Sequence, residues 1–211
     1  ERLPHRGVPA RRLVGVAEAV LTALHGASQL AAAAPGFVDP FHTIRACEHL
    51  AELDPGDPWQ PPHLPHVPKA RPVDQAWAPP PTVDALRAEP ARLAGDGVVA
   101  VLGLRRAAAL EEAVRAAPDL DVTAVLVTGA PDELAPLARL TLGELRGCLH
   151  PAFPRSAWPR VQIVLDGAGA LATAAGVPAV SDATESAVRV RGGRIVARAD
   201  GYGACHAAAV A

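Results

Sequence analysis

The chain has 211 residues, half of them apolar, with 22 Asp and Glu against 20 Lys and Arg and a formal net charge of −2. That length suffices for one large domain, or for one domain with a substantial extension. Both charge signs are interspersed and no segment forms a basic stripe, which argues against a nucleic-acid partner. No run reaches the ~20 apolar residues that a membrane span needs.

The apolar content is mostly Ala, Val and Leu, with three Phe, three Trp and one Tyr, so the core is expected to be built from small aliphatic side chains. Lys occurs once, at Lys69, and Met not at all. The Arg, Ala and Pro excess reads as a coding bias, and a chain without Met at its start reads as processed or trimmed. Cys47, Cys148 and Cys205 are an odd set without a CxxC pair, a poor disulfide framework at this size. Cys148–Cys205 is the one candidate bridge. Three reduced thiols in a cytoplasm fit the composition equally; a cytoplasmic location is favoured, with export as the alternative.

Residues 1–54 read as helical. From Pro9 to about Ala34 the apolar Leu13, Val16, Val20, Leu21 and Leu24 recur at helical spacing, with Glu18, His25 and Gln29 off that line. Within this stretch Arg11–Pro35 has the paired Arg, apolar middle and small residues of a signal peptide. Glu18, His25 and Gln29 favour an ordinary helix of the mature chain. Pro35-Gly36 ends it. Asp39 is a suitable N-cap and Pro40 suits the first helical position, so a second helix is expected to run to Leu53.

Residues 55–90 are a proline tract that holds eleven of the 22 prolines. Proline removes backbone donors and favours extended geometry, so neither a regular sheet nor a helix is expected there. Trp59 and Trp77 are large apolar anchors, which suggests a segment pinned to a surface rather than a flexible linker.

Residues 91–211 alternate strand and helix patterns. Val98–Leu104 is a fully apolar run of the kind buried on both sheet faces, followed by a helix over Arg106–Ala117. Val122–Val127 is a second such strand, followed by a helix over Asp132–Leu142 and a loop around Cys148–Trp158. Val161–Leu165 is a third, followed by a short helix over Ala168–Ala175. Glu185–Val190 and Arg194–Ala199 flank Arg191-Gly192-Gly193 as a hairpin, and a last short helix starts near Ala204.

Two to three strand–helix units, a hairpin and a terminal helix, with VVAVLGL (Val98–Leu104), VLDGAGALATAAGV (Val164–Val177) and ATESAVRVRGGRIVARADGYG (Ala183–Gly203), resemble the thioredoxin superfamily, in particular its peroxiredoxin-like and TlpA-like branch. The resemblance covers residues 91–211. It implies an α/β, three-layer domain with a central mixed sheet and a C-terminal hairpin.

The chemistry of that family is not carried by the matching positions. Redox-active members place a cysteine where the first central strand meets its helix, because the helix N-terminus lowers the thiol pKa. Here the junction reads Gly103-Leu104-Arg105-Arg106, without a nucleophile. Where the family has a cis-proline ahead of the hairpin, the aligned residue is Glu185. Arg105 and Arg106 beside exposed helix amides could hold an anion, with Glu185 paired across the groove; solvated surface arginines are the plainer alternative.

Other candidates divide the same way. Cys47 sits at helical spacing from Ile44, Leu50 and Ala51 and reads as structural. His42 and His49 share a face without making a metal site. His63 and His66 in the proline tract could ligate a metal or haem iron, yet no third ligand is evident and a surface loop explains them. Cys205, near the start of the last helix, is the best candidate for a reactive thiol, with Cys148 as its resolving partner; a buried structural residue is the alternative. No phosphate-binding loop, dinucleotide fingerprint or hydrolase elbow is present.

The expected protein is thus a helical segment (1–54), a proline-rich wrap (55–90) and a thioredoxin-like domain (91–211). Its expected role is a redox-inactive binding or assembly module, an accessory subunit engaging a protein partner or a second copy, without a cofactor. The alternatives are an atypical thiol oxidoreductase using Cys205 or Cys148, and a metal- or haem-binding accessory protein.

Overall fold

The computed structural model describes residues 14–53 and 66–211. The chain divides into two compact units, Glu1–Pro61 and Pro62–Ala211.

In the first unit, α1 (Val14–Ala33) and α2 (Pro40–Glu52) pack on each other. Asp39 caps α2 by accepting from the Phe41 amide at 2.9 Å, with Pro40 in the first turn as its fixed φ favours. Gly36, at φ 86°, turns the chain after α1. Two helices leave most of their apolar surface open. Val16 is buried, while Leu21, Leu24, Phe37, Phe41 and Ile44 remain exposed.

The second unit is a mixed α/β domain. Its strands are β1 (Arg71–Ala76), β2 (Val83–Asp84), β3 (Glu89–Pro90), β4 (Gly97–Gly103), β5 (Asp121–Val127), β6 (Val161–Leu165), β7 (Glu185–Arg191) and β8 (Arg194–Asp200). Its helices are α3 (Leu110–Ala116), α4 (Pro131–Ala152), α5 (Ala170–Ala174) and α6 (Ala204–Ala209). A six-stranded sheet runs in the order β1-β8-β7-β4-β5-β6, and β2 pairs with β3 separately. β4, β5 and β6 are parallel, while β7, β8 and β1 are each antiparallel to their neighbour.

The unbroken apolar runs have a direct cause: the sheet is covered on both faces. On one face Val98, Ala100, Leu102, Val122 and Ala124 pack with residues of α3, α4 and α6. On the other, Val99, Val101, Val125, Val127 and Val164 pack with α5, Trp77 and Leu93. Alternate residues of one strand thus enter different cores.

Three expectations are corrected. First, the proline tract does contribute sheet structure: β1 lies along β8. This is tolerated because β1 is an edge strand and the register shifts between Pro72 and Gln75, where a missing donor costs no central ladder bond. Second, α4 extends to Ala152, so Cys148 and His150 lie on a helix rather than in a loop. Third, the segment after β4 begins as a 3₁₀ turn, Leu104–Ala109, before α3.

The tract is anchored by polar as well as apolar contacts. Trp77 is buried and its Nε1 donates to the Leu93 carbonyl at 2.7 Å. Asp84, fully buried, accepts from the amides of Leu86 (3.0 Å) and Ile163 (3.2 Å) and from Arg87 Nη1 (2.9 Å). Arg87 in turn donates to the carbonyls of Val161 and Pro159. Trp59 and His63 lie outside the described residues.

Candidate functional site

The carboxyl end of β4 is closed by the loop that leads into β7. Gly103 donates its amide to Thr184 O at 2.8 Å, and Arg105 donates to Asp182 O at 3.0 Å. A Cβ at Gly103 would fall inside van der Waals contact with the backbone of Ser181 and Asp182, so the close approach requires glycine there. The Thr128 hydroxyl donates to Asp182 Oδ1 at 2.6 Å and accepts from the Ala130 amide at 3.1 Å, tying the end of β5 to the same loop. Of the amides at this junction, those of Gly103 and Arg105 are engaged by Thr184 and Asp182.

Arg106 and Glu185 are brought together. Arg106 donates from Nε at 2.9 Å, and from Nη2, to Glu185 Oε2. Glu185 Oε1 accepts from the Gly203 amide at 2.8 Å, and its main-chain carbonyl accepts from Gly201. Only 2% of the Glu185 side chain is exposed, against 30% for Arg106. The pairing raises the Arg106 pKa above its ordinary value, through the Glu185 hydrogen bond first. The Arg106 guanidinium also lies over the Tyr202 ring, 4.7 Å from its centroid, an arrangement that favours a cation. Arg105 is exposed and stands outside this pair.

Cys205 lies on α6 with no exposed surface. Burial pushes its thiol pKa far up, and the carboxylates of Glu185 and Glu112 push in the same direction against a smaller opposing effect of Arg106. This is the reverse of the environment that makes a thiol reactive. Cys148 is exposed on α4, Cys47 is half-buried on α2, and all three cysteines are free. The structure thus does not join Cys148 to Cys205. His66 is exposed, and no group of three His, Cys, Asp or Glu able to hold a metal occurs among the described residues. No helix among them is long and apolar enough to cross a membrane.

Tyr202 also lines a cavity of about 170 Å³, together with Val67, Lys69, Arg71, Asp200 and Ala204 among others. Arg71 donates to Asp200 at 3.2 Å, and the Ser186 hydroxyl donates to the same carboxylate at 2.7 Å. Sequence reasoning found Arg106 and Glu185 but not Tyr202 or Gly203. Their signal was available: Gly201-Tyr202-Gly203 puts an aromatic between two glycines, both at positive φ, where the chain turns from β8 into α6.

No protein-family model matches the chain, and neither a curated protein nor a solved structure matches it.

Proposed function

We propose that the chain is a redox-inactive, thioredoxin-like binding or assembly module, an accessory subunit rather than a thiol enzyme. The observation that carries this reading is the Arg106–Glu185 pair at the junction after β4, where a redox-active relative would present its cysteine. A buried ion pair with its remaining oxygen hydrogen-bonded to Gly203 leaves no group there to attack a disulfide or peroxide. The buried thiol of Cys205 adds support, because only a thiolate is nucleophilic and burial disfavours it. The order of strand–helix units, antiparallel hairpin and terminal helix supports the thioredoxin-like part of the reading.

The assembly part rests on the first unit. Phe37, in the turn between α1 and α2, and Phe41 are more than 70% exposed; Leu21, Leu24 and Ile44 are exposed as well, on two helices that bury almost nothing of their own. Apolar surface of that density marks a docking element for another protein or a second copy.

Insulin-reduction and peroxide-reduction assays on the full chain test the redox part, with background rates expected. Strong turnover abolished by Cys205→Ser or Cys148→Ser would overturn it. Sedimentation of the wild type and of Phe41→Glu tests the assembly part: a second copy as partner requires a dimer or higher species that the substitution weakens.

A further inference from the structure

Two arginines are buried in the sheet to the same extent, each 6% exposed, and only one of them is satisfied. Arg198 on β8 donates from Nη1 to Gly176 O at 2.9 Å and from Nη2 to Gln75 Oε1 at 3.2 Å. Arg189 on β7 does not: its Nε and Nη1 are buried without a hydrogen-bond partner, and no ion pair engages it among the described residues. Buried donors are nearly always paired, so such a guanidinium signals a missing acceptor.

The surroundings explain why the chain itself does not supply one. Arg189 lies opposite Val98 on β4 and Ala197 on β8, and alternation puts it on the same face of β7 as Ala187, beneath α6. That helix reads ACHAAA and packs across β7. None of its side chains carries an oxygen; besides the Cys205 thiol its one polar side chain is His206, whose Nδ1 is likewise buried without a partner. Next to Arg189 the pairing of β7 with β8 is irregular, between Arg189 and Val190, and such bulges re-aim side chains. Arg191, two residues on and on the same face, adds a second positive charge, which lowers the Arg189 pKa together with the larger effect of burial. Asp96 opposes them from nearby, with its Oδ1 accepting from the Gly192 amide at 2.7 Å.

We infer that Arg189, assisted by Arg191, is the binding site of a small oxyanion of the phosphate or carboxylate type, whose oxygen accepts from the buried guanidinium. A charged acceptor fits better than a neutral one, because hydrogen bonds from a guanidinium to an anion are the strong class and two arginines on one face repel each other until one is neutralised. The site lies at the opposite end of β7 from Glu185 and does not rest on the assembly reading.

Thermal unfolding of the full chain, at constant ionic strength, is the test. Inorganic phosphate and acetate are titrated separately against wild type, Arg189→Met, Arg189→Lys and Arg191→Gln. At a free anion concentration of about 100 times Kd, the unfolding equilibrium of the wild type should shift about 100-fold towards the folded state. Arg191→Gln should weaken the apparent affinity several-fold, and Arg189→Met should abolish the response. The stronger of the two anions identifies the source as phosphoryl or carboxylate. Nitrogen-15 spectra of the arginine Nε–H region of the wild type give a second readout: one resonance, assigned to Arg189 by its absence in folded Arg189→Lys, should move on titration. The inference is overturned if neither anion moves that resonance, or if Arg189→Met responds as the wild type does.

Discussion

Replacing Arg106 with Met tests how the junction after β4 is held. Met keeps much of the aliphatic stem while removing both donors to Glu185, whose side chain is 98% buried. Breaking a buried ion pair from one side costs about 3–5 kcal/mol, because the remaining charge stays in a poorly solvated site. Two features reduce this: Arg106 is partly exposed, and Glu185 retains the Gly203 amide. The expected loss is therefore about 3 kcal/mol. Removing the charge as well should return most of it, since apolar pairs often replace buried ion pairs without net cost, so Arg106→Met with Glu185→Leu should lie within about 1.5 kcal/mol of wild type. Urea unfolding followed by tryptophan fluorescence measures this, with buried Trp77 reporting on the sheet. The coupling between the two substitutions is read from the double-mutant cycle. The reasoning fails if Arg106→Met costs less than about 0.5 kcal/mol, or if the double variant loses the sum of the two single losses.

Cys205 has a thiol pKa raised above its ordinary value near 9.0, chiefly by burial. Above pH ~9 the unfolded chain releases this proton while the folded chain keeps it, so the stability it contributes is present below that pH and is lost as pH rises. Between pH ~9 and ~11 the wild type should lose up to about 1.4 kcal/mol per pH unit more than Cys205→Ala, and parallel pH profiles would refute this. In the native protein iodoacetamide should modify the exposed Cys148 and spare Cys205 until urea is added; mass spectrometry of the labelled peptides decides it. Gly103→Ala should destabilise by about 3 kcal/mol, because the new Cβ meets backbone rather than a movable side chain, and an unchanged urea midpoint would contradict the close approach. Trp77→Phe should cost about 1–2 kcal/mol by leaving the Leu93 carbonyl without its donor, measurable in urea with Trp158 as probe.

What the sequence reveals follows from what buries each element. β4, β5 and β6 are apolar runs because helices cover both faces, and the Arg191–Arg194 turn needs its two glycines at positive φ, so these elements fall within a residue or two of expectation. β1 is hidden because it lies in the proline tract and holds Pro72, which argues against a strand, and its place at the sheet edge makes that proline harmless. The first half of α4 is legible, but its extension past Leu142 is hidden by Gly143, Gly147 and Pro151, residues that disfavour a helix interior, although Pro151 lies inside the last turn. Arg189 is the least legible residue. The pattern Ala187-Val188-Arg189-Val190-Arg191 looks like a strand with one wet face, and nothing local tells that α6 lies over that face. Among the candidate site residues, Arg106 and Glu185 lie 79 positions apart, and their contact was legible only through the topology that sets Leu102 opposite Glu185.

The same topology makes Glu185 decide two things at once. Its carboxylate holds Arg106 over Tyr202, and its charge is the second cause, after burial, that keeps the Cys205 thiol protonated. An activated cysteine needs positive potential and access to solvent. At this junction the positive group is neutralised by Glu185, and the nearby thiol has no surface at all. Glu185→Gln alone should therefore leave Cys205 unreactive, because the larger cause, burial, persists. Only a change that also opens α6 would expose the thiol, which places the unreactive state expected of Cys205 in the packing of α6 more than in the identity of any single residue.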